Sequence, residues 1–175
     1  GRVACPVCAR LGPHVASARS ALLHADGGAA LVRAWKDGAR RHLGSLAAAC
    51  IAGAIPRPAV DAVVPVPAAR GRAAWRGVDG PCDLAHGLAA LWGLPLAADA
   101  LVRVHDRPQR GLGAAERRAN AARAFAPGQV PRGRVLLVDD VLTTGATVRA
   151  AAAALHRGGA GRVDAVTLAR VATIV

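Results

Sequence analysis

Residues 135–147 read Val-Leu-Leu-Val-Asp-Asp-Val-Leu-Thr-Thr-Gly-Ala-Thr, and this stretch decides the fold. Val135 to Val138 is a continuous apolar run of the kind that forms a strand buried on both faces. Two carboxylates, Asp139 and Asp140, close the run, a short Thr/Gly/Ala loop follows, and a helix is predicted from Ala146 to His156. Strand, loop and helix in that order make a parallel α/β unit, and ligands of open α/β sheets bind at the carboxyl ends of the strands.

The chemistry of the stretch is that of an anion cradle. A loop entering a helix presents backbone N–H groups, and the helix adds the positive end of its dipole. Thr143, Thr144 and Thr147 add hydroxyl donors, and Gly145 allows close backbone approach. Carboxylates suit sugar hydroxyls rather than phosphate. A phosphate at one end and a diol at the other describe a ribose 5-phosphate.

Outward from this unit the strand-and-helix alternation continues. Ala62-Val63-Val64 reads as a short strand closed by Pro65-Val66-Pro67, Cys82 to Trp92 as a helix with Leu84, Leu88 and Leu91 on one face, and Ala100 to Val104 as a strand. His105 to Gly113 is a polar, Arg-rich loop, Ala114 to Ala124 a helix, and Val163 to Ala169 the last strand. Residues 17–60 are expected to be mostly helical. Asp26-Gly27-Gly28 reads as a turn, followed by one helix through Ala30, Leu31, Ala34 and Trp35. A second helix is expected from Ala39 to about Gly53, with Leu43, Leu46, Ala47 and Cys50 on one face and Cys50 a small buried hydrophobe. The expected fold class is α/β, a parallel sheet flanked by helices over residues 17–175, preceded by a short Cys-containing segment over residues 1–16.

Composition narrows the partners. Twenty-three basic residues against 11 acidic ones give a net charge of +12, and Lys36 is the single lysine. Arginine grips phosphate with two parallel donors, so the bias fits a polyanionic ligand; a coding bias that raises Ala, Gly, Arg and Pro together explains the count as well. The longest apolar run, Leu46 to Ile55, is too short to span a bilayer, so a cytoplasmic protein without membrane insertion is expected. The chain starts at Gly1 and has no methionine, which suggests a truncated or processed start. Cys5 and Cys8, in Cys-Pro-Val-Cys, have the spacing of half a zinc knuckle. Unpaired structural thiols and a redox pair are the other readings of these two residues.

Residues 135–147 resemble the phosphate- and ribose-binding motif of type I phosphoribosyltransferases, whose substrate is phosphoribosyl pyrophosphate (PRPP). The resemblance implies that Asp139 and Asp140 hold the ribose hydroxyls, and that Val141, Leu142, Thr143, Thr144, Gly145, Ala146 and Thr147 form the 5-phosphate loop. Purine-salvage members place an aspartate where Thr143 stands, so the loop resembles the orotate-type pattern more closely. Three further stretches are similar to the ComF family within that superfamily. Leu31 to Lys36 with Gly38 resembles its Lys-x-x-Gly helix. Asp61 to Gly77 resembles its pyrophosphate loop, which implies binding roles for Pro65, Val66, Pro67, Arg70 and Arg76. There the family continues Arg-Gly-Phe-Asn-Gln, whereas this chain has Arg76-Gly77-Val78-Asp79-Gly80. Arg103 to Phe125 resembles the loop that closes over substrate, which implies catalytic roles for Arg103 and Arg107.

By this resemblance the expected activity is transfer of ribosyl 5-phosphate from PRPP, with Mg²⁺, to a nucleobase-like acceptor. Two other functions fit the same resemblance. One is a non-catalytic, competence-associated protein that handles incoming single-stranded DNA or its partner proteins, with Trp75 between Arg72 and Arg76 as the stacking position. The other is a PRPP-responsive regulator. Family members begin with a four-cysteine knuckle, so Cys5 and Cys8 imply Zn²⁺ where the missing ligands are supplied. No glutaminase module and no N-terminal cysteine nucleophile are found, which argues against an amidotransferase.

Overall fold

The computed structural model describes residues 11–37, 42–68, 79–104 and 124–171. Strands β1 (Ser17–Leu23), β2 (Ala62–Pro65), β5 (Gly133–Leu142) and β6 (Ala160–Arg170) form one parallel sheet in the order β1-β6-β5-β2. A small antiparallel pair, β3 (Leu101–Arg103) with β4 (Phe125–Pro127), stands apart from it. The helices are α1 (Asp26–Asp37), α2 (His42–Ala54), α3 (Gly80–Trp92) and α4 (Ala146–Arg157). The α/β class and the parallel sheet flanked by helices are as the sequence predicts; residues 1–10, most of the Cys-containing segment, lie outside the described residues.

Successive side chains of a strand point to opposite faces of its sheet. Val135 and Leu137 therefore enter one core, with Val148, Ala151 and Leu155 of α4 and with Leu101 and Phe125 of the small sheet. Leu136 and Val138 enter the other, with Trp35 of α1, Ile51 of α2 and Leu84 and Leu88 of α3. Both faces of β5 are covered, which is why its sequence is a continuous apolar run.

Strand β1 corrects the sequence reading of residues 17–60 as mostly helical. Ser-Ala-Arg-Ser-Ala-Leu-Leu has neither alternation nor β-branched residues. It is a strand because β6 offers a parallel edge, paired from Ser17↔Asp164 to Leu23↔Arg170. Tertiary pairing overrides weak local preference here. Cross-strand bonds reinforce the register: Ser17 Oγ donates to Asp164 Oδ1 at 2.6 Å, and the Ser20 and Thr167 hydroxyls lie 2.7 Å apart. Asp26-Gly27-Gly28, read as a turn, is instead the first turn of α1.

The helix faces also shift. Leu46 and Leu91, each assigned to a buried face, are 51% and 56% exposed. On α3 the buried stripe runs through Leu84, Ala85, Leu88, Ala89 and Trp92, leaving Leu91 on its outer margin. On α2 it runs through Gly44, Ala47, Ala48 and Ile51, and Cys50 is half-buried. Helices α2 and α3 meet closely because their contact is built from small residues: a Cβ on Gly87 would lie 2.6 Å from Ala48 Cβ, and one on Gly44 would lie 3.1 Å from Asp83 Cβ.

Candidate active site

The parallel ladder brings two chain segments together at the carboxyl end of the sheet. Pro65 pairs with Val138, and the Val66 N–H donates to the Val138 carbonyl at 2.9 Å. The Pro65-Val66-Pro67 turn therefore leaves the sheet beside Asp139. Strand β5 runs on to Leu142, with Asp139↔Thr167, Val141↔Ala169 and Leu142↔Arg170 paired to β6. The two acids stand inside the last turn of the ladder rather than beyond it.

Asp139 is buried, 8% exposed, and its Oδ1 accepts the Asp140 N–H at 2.9 Å. Asp140 is half-buried and stands toward α3: its Oδ2 lies 3.4 Å from where a Cβ on Gly80 would be. Trp35 Cη2 lies 3.3 Å from that same point, so the absent side chain at Gly80 lets Asp140 and the Trp35 indole share the space. Trp35 is fully buried, and its Nε1 has no hydrogen-bond partner among the described residues.

After Leu142 the loop proper is Thr143-Thr144-Gly145. Both threonines are exposed, and Thr144 Oγ1 accepts the Ala146 N–H at 3.4 Å. Gly145 caps α4 with φ 75°, a left-handed conformation that favours glycine. A Cβ there would collide with Leu11 Cδ2, so the glycine answers to packing from the chain's N-terminal side as well as to the turn. The first turn of α4 carries no acidic residue of its own. Ala146 is half-buried and Thr147 exposed in that turn. Val141 and Leu142 put their side chains against the two cores and leave only backbone toward a ligand.

Arg103 lies on β3. Its Nε donates to the Pro67 carbonyl at 2.9 Å, and its guanidinium carbon sits 4.7 Å from the Phe125 ring centroid. Pro65 and Val66 are buried and Pro67 half-buried. Arg70, Arg76, Arg107, Cys5 and Cys8 lie outside the described residues, as do the predicted loop 105–113 and most of the helix 114–124.

Sequence reasoning passed over Asp79 as a site residue and noted it only as a departure from a family pattern. Its carboxylate caps α3, accepting the Cys82 N–H at 3.3 Å, with Pro81 in the first turn. An Asp followed by Gly-Pro is a helix-start signal, and that signal was present. Burial pushes the Asp79 carboxyl above its ordinary value. The N–H groups of Cys82 and Ala68 pull against this, the Asp140 charge adds to it, and the Arg103 charge opposes it.

The sequence model of the phosphoribosyl transferase domain family matches residues 85–173, just over half the chain. This chain belongs to that family. The matched span holds β5, the Thr143–Gly145 turn, α4 and β6, while the Pro65–Pro67 turn and Asp79 lie before it. Competence protein F of Haemophilus influenzae is 35% identical over 115 residues, covering 63% of this chain and 50% of the relative. Together the two matches support ComF-like membership of the type I phosphoribosyltransferase family. It spans about half the length of that relative. Among the described residues, no helix is long and apolar enough to cross a membrane.

Proposed function

We propose that this family member binds PRPP with Mg²⁺ at the carboxyl end of the sheet and transfers its ribosyl 5-phosphate to a nucleobase-like acceptor. One juxtaposition carries the reading: a buried and a half-buried carboxylate, Asp139 and Asp140, directly precede a turn whose helix has a positive, acid-free N-terminus. The turn and the first N–H groups of α4 suit the 5-phosphate. The two carboxylates suit the ribose hydroxyls. The Pro65–Ala68 turn, beside Asp139, suits the pyrophosphate.

In the transfer, the C1–oxygen bond to pyrophosphate breaks as an acceptor nitrogen bonds to C1. Pyrophosphate leaves with the electron pair, and the acceptor's proton passes to solvent. The residues' task is to orient the sugar and keep water from C1. Magnesium is held mostly by phosphate and hydroxyl oxygens with one or two carboxylates, which Asp139 and Asp140 can supply, and it would neutralise charge on the leaving group.

The test is calorimetric titration of PRPP with Mg²⁺ into the chain and into Asp139→Ala. Saturable binding that is lost in the variant is expected. Equal affinity in both would overturn the assignment.

A second reading is favoured by the printed name of the relative, Competence protein F, and by the net charge of +12. In it the chain handles single-stranded DNA or competence proteins at the cytoplasmic side. Binding of a single-stranded oligonucleotide that weakens steeply with salt is its signature, and no binding at low salt removes it.

A further inference from the structure

At the amino end of the sheet, opposite the Asp139–Gly145 site, lies a cavity of about 310 Å³. Arg19 of β1, Arg134 of β5 and Arg162 of β6 line it from one face of the sheet. Farther along the same face, Leu136 and Val166 enter the core covered by α2 and α3. The two helices stop short of the strand starts, and the cavity occupies the space they leave. Ile55, just past α2, and Trp92, the last residue of α3, form its wall. A fourth arginine, Arg57, comes from the Pro-Arg-Pro segment after α2, and its Nε donates to the Trp92 carbonyl at 2.7 Å.

These four arginines face one carboxylate, Asp164. That carboxylate is already engaged. Arg162 donates to it twice, Nε to Oδ2 at 2.8 Å and Nη2 to Oδ1 at 3.0 Å, and Ser17 Oγ donates to Oδ1 at 2.6 Å. Among the described residues, no hydrogen bond engages the Arg19 or Arg134 guanidinium. Asp61, just before β2, takes the backbone N–H of Arg134 at 2.7 Å and not its side chain. Arg134 also stands directly opposite Arg162 in the β5–β6 ladder. Like charges so placed repel and cost stability. An anion seated between them turns that repulsion into attraction, and the planar guanidinium fork matches the oxygens of a phosphate.

The floor asks for something more than an inorganic ion. Leu136, Val166, Ile55 and Trp92 offer apolar surface directly beneath the arginines. A volume of about 310 Å³ is at the low end of ordinary ligand pockets, with room for one small molecule. A phosphate joined to a compact planar body meets both halves of the cavity.

We propose that this cavity is a second binding site, separate from the Asp139–Gly145 site, for a small phosphate ester of the nucleoside monophosphate class. Arg19 and Arg134 take the phosphate, and Leu136, Val166 and Trp92 take the planar body. The inference does not rest on the PRPP reading.

The test is calorimetric titration of adenosine monophosphate into the full chain, into the double variant Arg19→Ala, Arg134→Ala, and into Asp139→Ala. Inorganic phosphate and adenosine are titrated separately as the two halves of the probe. The full chain and Asp139→Ala should bind the nucleotide alike. The double variant should bind it about tenfold more weakly or worse, the loss of charge-assisted hydrogen bonds. Replacing both arginines by lysine keeps the charge without the fork and should recover part of the affinity. Phosphate and adenosine should each bind more weakly than the nucleotide, since each meets only the rim or only the floor. Arg19 and Arg134 are exposed, so the double variant should keep the wild-type urea midpoint. Binding lost in Asp139→Ala and kept in the double variant would put the nucleotide at the other end of the sheet and overturn the proposal. Absence of nucleotide binding to the full chain also overturns it. So does a single-stranded oligonucleotide that binds, and loses affinity in the double variant, where the mononucleotide does not bind: that result assigns the cavity to nucleic acid.

Discussion

Gly145→Ala is the substitution that most directly tests the geometry of the phosphate-type turn. Gly145 has φ 75°, and a methyl group there would collide with Leu11 Cδ2 while lying 3.6 Å from Leu11 Cγ and 3.8 Å from Leu142 Cδ1. Forcing an L-residue into the left-handed region costs about 1–2 kcal/mol. Overpacking against a buried leucine adds about 1–3 kcal/mol, because Leu11 is 2% exposed and has little room to retreat. The expected cost is therefore about 2–5 kcal/mol, read by equilibrium urea unfolding. The two contributions separate in a double-mutant cycle. Leu11→Ala alone should cost about 2–5 kcal/mol as a cavity. In that background Gly145→Ala should cost only the backbone strain, about 1–2 kcal/mol, leaving a coupling of about 1–3 kcal/mol. Equal costs in both backgrounds would show that Leu11 does not sit against the turn. A cost near zero in the wild-type background would show that residue 145 is not left-handed.

Other substitutions probe the frame around the site. Gly87→Ala should destabilise by about 1–3 kcal/mol in the same assay, since its Cβ would fall 2.6 Å from Ala48 Cβ and wedge α2 from α3. Gly80→Ala should cost no more than about 1 kcal/mol, because its neighbours need give only a few tenths of an ångström, yet it should weaken PRPP by displacing Asp140, as titration would read. Asp164 tests pH dependence. Burial alone would raise its carboxyl, but hydrogen bonds from Arg162 and Ser17 and the charges of Arg162 and Arg134 hold it below its ordinary 3.8. The stability it contributes is present above pH 3.8 and lost as pH falls through its lower folded value. Asp164→Asn should therefore cost about 1 kcal/mol at neutral pH, with the gap to wild type closing in acid.

What was legible in the sequence follows from how local each feature is. Residues 135–147 carry strand, acids, turn and helix start in one contiguous piece, so period and composition sufficed there. Strand β1 was not legible because Ser17–Leu23 has no strand pattern of its own; its identity comes from β6, nearly 150 positions away (Ser17 pairs with Asp164). The same is true of β4, whose Phe125 is fixed by packing into the first core and by pairing with Arg103 across the small sheet. Leu46 and Leu91 were misplaced because helical spacing gives a stripe but not its centre, and the centre is set by where the small residues Gly44, Ala48 and Gly87 let α2 and α3 touch.

The candidate site shows the same division. The half proposed to take ribose and phosphate is one segment, and the family model reaches it because a contiguous motif is what a sequence pattern stores. Its other half lies on the turn after β2, where the Pro67 carbonyl accepts the Arg103 Nε–H from β3. No short motif can encode that arrangement, because its parts meet only once β2 has paired with β5 and β3 has come beside the turn. Substitutions in residues 139–147 should therefore act at the site directly. Arg103→Ala should act by loosening the turn, and hydrogen exchange at the Val66 amide, which donates to the Val138 carbonyl, separates the two kinds of loss even where binding falls equally in both.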